Sequence, residues 1–276
     1  MRYSEIIITS RQNPLICEVA SLLKRRERDE SGRFIMDGKK LCFEYIRYVG
    51  SPVYLFVNEK QRDKLADELS ELEVECGITL NITLVSESAF MKMTEQKAPD
   101  GIIAVGEKSL LSHEYICVGD HFDFSGERII AMSSLRDTGN VGTVIRTALA
   151  LGYDRVLLSS DCADIYNPKT LRATMGAAFS MKLSVCESLS GVVSRLVKEG
   201  RRVYSAELRE NAVSIDSISV VESDVFVVGN EGHGIEASVS EASSASVFIP
   251  ISDRSESLNA AVCASVLMWH QRSCAF

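Results

Sequence analysis

Over residues 13–30, Leu15, Val19, Leu22 and Leu23 recur at helical spacing, and Pro14 stands where a first helical turn tolerates a missing N–H. One helix is predicted there. Apolar runs at 33–36, 52–57, 80–85 and 101–105 predict strands, and helical spacing at 38–48, 59–69 and 87–93 predicts helices between them. Residues 108–127 break the pattern: they are mixed in character and carry Gly119, Gly126, His113 and His121. From 128 the alternation restarts, with strands expected at 128–132, 155–159, 202–206, 224–228 and 246–249. Helices are expected at 142–151, 168–176, 189–198 and 256–271, the last with apolar positions at Leu258, Ala261, Val262, Val266 and Trp269.

Strands that alternate with helices specify an α/β chain with a mainly parallel sheet and helices on its faces. The break divides it into a domain at 1–107, a linker at 108–127 and a second domain at 128–276. A length of 276 residues suits one large or two modest domains.

Composition adds constraints. No apolar run approaches the length of a membrane span, and Ile6, Ile7 and Ile8 form too short a patch for a signal-peptide core, so a cytoplasmic protein is expected. The eight cysteines are scattered without a CxxC pair, which favours buried free thiols over a zinc site or a disulfide framework, and no metal is expected. The net charge of −8 argues against nucleic acid. The first forty residues run the other way, with nine Lys/Arg against six Asp/Glu. Lys24, Arg25, Arg26, Arg28 and Arg33 cluster there, either as a solvated helix face or as phosphate contacts.

Three stretches of the second half carry chemistry. Asn140-Val141-Gly142 follows a strand and leads through Arg146 and Ala148 to Gly152. Asn140 can cap the helix, and Arg146 lies one turn in, toward the carboxyl end of the preceding strand, where open α/β sheets bind ligands. Alone, Arg146 also reads as a surface residue. Val228-Gly229-Asn230-Glu231-Gly232-His233-Gly234 also follows a strand. Its glycines permit positive φ and close backbone approach, but the spacing is neither a dinucleotide fingerprint nor a phosphate loop. Glu231 could orient a cation or a hydroxyl. The third stretch is Ile249-Pro250-Ile251-Ser252 followed by Ser257-Leu258-Asn259, with Ser255 or Ser257 expected to begin the last helix.

In this order the three stretches resemble the SpoU (TrmH-type) branch of the SPOUT methyltransferases. Asn167-Pro168-Lys169 and Arg172 to Gly176 are similar to that family's connector after its second strand, and Ser10 to Pro14, Gly32-Arg33-Phe34 and Gly38 to its N-terminal substrate domain. Thr138, Asp253 and Asp37 depart from the usual pattern.

The resemblance implies a parallel-sheet domain with a deep trefoil knot, a smaller L30e-like α/β domain before it, and a homodimer. It further implies S-adenosylmethionine as cofactor and transfer of its methyl to a ribose 2'-hydroxyl of RNA, ribosomal RNA first. Transfer RNA, or a non-catalytic RNA-binding protein on the same fold, is the alternative. The cofactor would be held by Val228, Gly229, Asn230, Gly232, Ile249, Ile251 and Leu258, and the active-site polar set would be Asn140, Arg146, Glu231, Ser257 and Asn259. A guanidinium stays protonated, so Arg146 is expected to clamp a phosphate and polarise the 2'-oxygen rather than take the proton. With RNA in view, the basic N-terminal cluster reads as phosphate contacts. A small-molecule α/β enzyme is a third reading, but no nucleophile–base pair is evident.

Overall fold

A computed structural model describes residues 1–230 and 232–274, and the chain divides into two compact units. The first comprises Met1–Leu111 with Asp164–Ser180, the second Ser112–Ala163 with the chain from Met181 onward.

The first unit starts with β1 (Arg2–Tyr3), α1 (Pro14–Ser21), α2 (Arg25–Ser31), β2 (Arg33–Asp37) and α3 (Lys39–Tyr48). It continues with β3 (Tyr54–Asn58), α4 (Arg62–Cys76), β4 (Asn81–Val85), α5 (Glu87–Phe90) and β5 (Ile102–Glu107). Its sheet has the order β1-β4-β3-β5-β2. The first three strands run parallel, while β5 is antiparallel to both β3 and β2, so this sheet is mixed rather than mainly parallel. Ile16, Val19, Ile35, Phe56, Phe90 and Ile103 fill one side of it and are fully buried.

The second unit holds β6 (His113–Ile116), β7 (Ile129–Met132), α6 (Thr138–Ala150) and β8 (Arg155–Ser159). The chain then contributes α7 (Pro168–Thr174) to the first unit before it returns as β9 (Lys182–Cys186), α8 (Leu189–Lys198) and β10 (Val203–Ala206). β11 (Val213–Ser214), β12 (Val225–Val228), α9 (Ala237–Ala242), β13 (Ala245–Phe248) and α10 (Ala260–Cys274) follow. All eight strands are parallel, in the order β11-β13-β10-β12-β7-β8-β9-β6. The central strands β7 and β12 are continuous apolar runs, buried at every position, as a sheet covered on both faces requires.

The segment 164–180 is fastened to the first unit by aromatic packing and charge. Phe34 meets Tyr166 at 5.2 Å and Phe179 at 6.3 Å between ring centroids, and Tyr45 stands edge-on to Phe179 at 5.4 Å. Arg28, 1% exposed, reaches Asp164 at 2.6 Å.

Several elements differ from the sequence expectation. The single helix over 13–30 is two, broken at Leu22 to Lys24, because Arg28 Nη1 donates to the carbonyls of Leu22 (2.8 Å) and Leu23 (2.9 Å). The stretch expected as linker contains β6, which pairs with β9 at the sheet edge. β9 itself escaped the pattern: its interior Ser184 is polar but buried, and bonds to Glu114 and Arg155. Of the eight cysteines, all free, only Cys42, Cys162 and Cys186 are buried; Cys117 and Cys274 are exposed. Among the described residues, no helix is long and apolar enough to cross a membrane.

Candidate active site

From β7 the chain proceeds outward through β8 and β9, whereas β12 and β10 lie on the other side of β7. The strand order therefore reverses between β7 and β12. In an open α/β sheet the crevice beyond the carboxyl ends of such a pair is where ligands bind. The loops after β7, β10, β12 and β13 all emerge at that end of the parallel sheet.

The loop after β12 is a tight, backbone-paired structure. Asn230 N donates to Gly234 O at 2.9 Å and Gly234 N to Asn230 O at 2.8 Å. A Cβ at Gly229 would lie 2.4 Å from the carbonyl carbon of Gly234 and 2.6 Å from Ile235 N. Backbone cannot yield there, so only glycine permits the closure. The side chain of Asn230 organises the turn: Oδ1 accepts from Gly232 N (2.8 Å) and His233 N (3.3 Å), and Nδ2 donates to Ser134 O (3.2 Å). Ser134 has φ +54°, and its N–H is fixed by the Ser159 hydroxyl at 2.8 Å. That hydroxyl donates in turn to Asp161 at 2.6 Å.

The N-terminal ends of α6 and α10 meet beside these loops. Asp137, not Asn140, caps α6: its Oδ1 accepts from Asn140 N at 2.7 Å. Asn140 is the third residue of the helix, and its side-chain Oδ1 accepts from Asn259 Nδ2 at 3.1 Å. Asn259, rather than Ser255 or Ser257, caps the last helix, with Oδ1 accepting from Ala261 N (3.0 Å) and Val262 N (3.2 Å). The helix accordingly begins at Ala260 instead of 256. Arg146 lies six residues beyond Asn140, exposed on α6, and forms no ion pair among the described residues.

A cavity of about 430 Å³ opens where the loops after β10, β12 and β13 meet the start of α10. Of the residues expected to hold a cofactor, Val228, Gly229, Asn230, Ile249, Ile251 and Leu258 line it. Gly232 does not line it, since its N–H turns back to Asn230. Of the expected polar set, Ser257 lines the cavity, while Asn140, Arg146 and Asn259 are not in its wall. Glu231 lies outside the described residues.

The structure adds wall residues that the sequence reading missed. The loop after β10 brings in Glu207 and Arg209, and Cys263 comes from α10. The available signal was positional: this loop follows the carboxyl end of a predicted strand. Burial opposes the charge of Glu207 more than any other single influence. The hydroxyls of Ser240, Ser205 and Ser246, with Arg209, nevertheless hold its pKa below the ordinary carboxylate value.

The basic cluster in the first unit is divided. Lys24, Arg25 and Arg26 are exposed, the latter two in i,i+4 pairs with Asp29 (3.5 Å) and Glu30 (2.7 Å). Arg33 is half-buried between Glu18 (3.1 Å) and the ring of Tyr54. Arg28 is buried and held by Asp164, Leu22 and Leu23, so it has no face to offer a phosphate.

This chain is similar to known RNA methyltransferases. Residues 127–269 match the model of the SpoU rRNA Methylase family, and residues 13–104 match that of the MRM3-like substrate binding domain. The 23S rRNA (guanosine(2553)-2'-O)-methyltransferase of Bacillus subtilis (strain 168) is 31% identical over 96% of this chain and 98% of its own. The 23S rRNA (uridine(2479)-2'-O)-methyltransferase of Streptomyces viridochromogenes is 26% identical over 95% of this chain and 90% of its own. Among solved structures, the AdoMet-bound rRNA methyltransferase of Sinorhizobium meliloti superposes with a TM-score of 0.78 at 24% identity, covering 97% of each chain.

Proposed function

The chain belongs to the SpoU rRNA methylase family, and from that premise we propose that it methylates a ribose 2'-hydroxyl of ribosomal RNA with S-adenosylmethionine as donor. The observation that carries this reading is the cavity beyond the carboxyl ends of β10, β12 and β13. Its wall is built from two of the three sequence stretches, and the third begins the helix whose Asn140 is joined to Asn259 beside it.

The cavity suits the cofactor. Its volume lies in the range of small-molecule sites, Val228, Ile235, Ile249 and Leu258 give it apolar walls, and Asn230 and Ser257 add polar groups to them. S-adenosylmethionine, when bound, supplies a methyl already activated on a sulfonium. The protein has then to orient the 2'-hydroxyl and let its proton leave. Arg146, exposed and without an ion pair among the described residues, is suited to grip the phosphate beside the target ribose and polarise the 2'-oxygen. The hydroxyl of Ser257, in the cavity wall, would pass the proton outward to solvent. The trefoil knot is part of the same proposal; the tight return at Gly229 and the passage from 249 to 259 around one cavity support it.

Substrate would be held through the first unit, with Lys24, Arg25, Arg26 and Arg33 as phosphate contacts and Arg28 excluded. We assign a homodimer to the open apolar face of α10. Val262, Val266 and Trp269 are 49%, 38% and 61% exposed at i, i+4 and i+7, and α10 packs against α6, where Leu149 is 39% exposed. A second copy that brings the same face would cover it. Free thiols at all eight cysteines agree with a reducing, cytoplasmic compartment.

The test is a mass-spectrometric map of 2'-O-methyl nucleotides in cells with and without the gene, together with methyl transfer by the purified protein. One ribosomal RNA nucleotide that loses its methyl in the deletion and regains it in vitro is the expected result. A lost methyl in transfer RNA would redirect the substrate, and cofactor binding without transfer to any RNA would overturn the enzymatic reading.

A further inference from the structure

The wall of the cavity contains a charged pair that lies in none of the three sequence stretches. Glu207 and Arg209 follow β10, and the Nε of Arg209 stands 3.0 Å from Oε2 of Glu207. Glu207 is itself fixed from three elements. Its Oε1 accepts from Ser205 of β10 at 2.8 Å, from Ser246 of β13 at 3.0 Å, and from Ser240 of α9. Ser205 and Ser240 are buried.

The hydrogen-bonding capacity of the pair therefore lies on the arginine. One oxygen of Glu207 has three hydroxyl donors, and the other faces Arg209. The guanidinium uses only its Nε edge on Glu207, and its two terminal nitrogens have no partner among the described residues. Two parallel N–H groups on that edge match a carboxylate. Arg209 is also the only Lys or Arg among the described residues of the cavity wall. A carboxylate drawn from water into this cavity needs such a partner, because an unpaired charge is costly to desolvate.

Building on the cofactor reading above, we infer that Arg209, held in place by Glu207, binds the carboxylate of the amino-acid arm of S-adenosylmethionine. Arg209 is then a binding residue, and Glu207 a positioning residue that acts through it.

The experiment is calorimetric titration of the full chain with S-adenosylhomocysteine and with its decarboxylated analogue, which keeps the adenosine, the sulfur and the ammonium. Wild type should bind S-adenosylhomocysteine about tenfold or more tighter than the analogue, the usual scale for a hydrogen bond to a charged group. Arg209→Ala should remove that preference by weakening S-adenosylhomocysteine alone, with analogue affinity unchanged as proof of an intact cavity. Glu207→Gln should give a smaller loss confined to the same ligand. The inference is overturned if Arg209→Ala leaves the preference intact, or weakens both ligands equally. If wild type binds neither ligand, the cofactor reading fails and the inference falls with it. Binding of both by wild type with an unchanged preference in Arg209→Ala discards the inference alone.

Discussion

The side-chain amide of Asn259 does two things at once: it caps α10 through Ala261 N and Val262 N, and it donates to Asn140 of α6 across 3.1 Å. The two roles separate by substitution. Asn259→Ala loses both and should destabilise the protein by about 1–2 kcal/mol, the common cost of a lost N-cap. Asn259→Ser keeps a capping oxygen but is too short to reach Asn140. Urea denaturation should find the serine variant close to wild type, while its rate of methyl transfer drops with that of the alanine variant.

Arg146 is exposed and has no ion pair among the described residues, so stability should not depend on it. Arg146→Ala should unfold within about 0.5 kcal/mol of wild type, as neutral surface changes do. Its transfer rate should fall by about 100-fold, the scale of losing one charge-stabilising donor. Arg146→Lys separates the roles: a phosphate clamp leaves a weakened rate with the wild-type pH profile. A new pH optimum governed by the lysine would restore the general-base role.

The basic cluster should split by variant. Arg28→Ala removes one partner of a buried ion pair with Asp164 and should cost about 3–5 kcal/mol of stability. Lys24→Ala with Arg25→Ala and Arg26→Ala should leave the unfolding midpoint nearly unchanged. The triple variant should weaken RNA binding and flatten its dependence on salt, measured by filter binding from 50 to 200 mM salt on the scale usual for phosphate contacts. An unchanged salt slope would remove these residues from the substrate surface.

Asp37 is 3% exposed, accepts from Thr94 at 2.5 Å, and has its Oδ1 buried without a hydrogen-bond partner among the described residues. Burial, the largest influence, raises its pKa above the ordinary 3.8 despite Thr94, Gln96 and Arg172. A raised folded-state pKa means that its contribution is fully present below 3.8 and is lost as pH rises through the folded value. Asp37→Asn, which can still accept from Thr94, should therefore be more stable than wild type at neutral pH. The advantage should shrink toward pH 4 in a series of urea midpoints, and a constant difference across the series would refute the assignment.

Trp269 stands 61% exposed at the end of the open apolar face of α10. Trp269→Glu should convert a dimer into monomers in sedimentation velocity runs. From α10 the cavity wall takes Ala260 and Cys263 but not Trp269, so binding of S-adenosylhomocysteine by each monomer should change by less than about threefold, within the range of surface substitutions.

Periodicity located elements where one face or a whole run is apolar: β8 and α8 occupy the spans that the pattern predicted, and β12 starts one residue later. It failed where side chains compete with the backbone. No pattern of apolar residues reports that Arg28 will take the carbonyls of Leu22 and Leu23 and end a helix. In α10 apolar residues lie all round, so the buried stripe could not be chosen. Val262, Val266 and Trp269 face outward, while Ala260, Ala261 and Ala264 are buried. The site was legible where glycine and asparagine sit after strands. Glu207 and Arg209 were not, because an ordinary charged loop gains meaning only when the parallel sheet brings its end beside the Gly229 turn.

The excursion of 164–180 into the first unit has a consequence for the order in which the molecule forms on the ribosome. Phe34 and Tyr45 are made early in synthesis, but Tyr166 and Phe179, which cover them, are made only after β6, β7 and β8. The N-terminal unit cannot complete its structure as soon as its first 111 residues are available. It waits, with an apolar surface open, for a segment encoded inside its neighbour. Translation past residue 180 is thus a shared checkpoint, and a gene truncated between the units yields an incomplete first half rather than a free-standing domain.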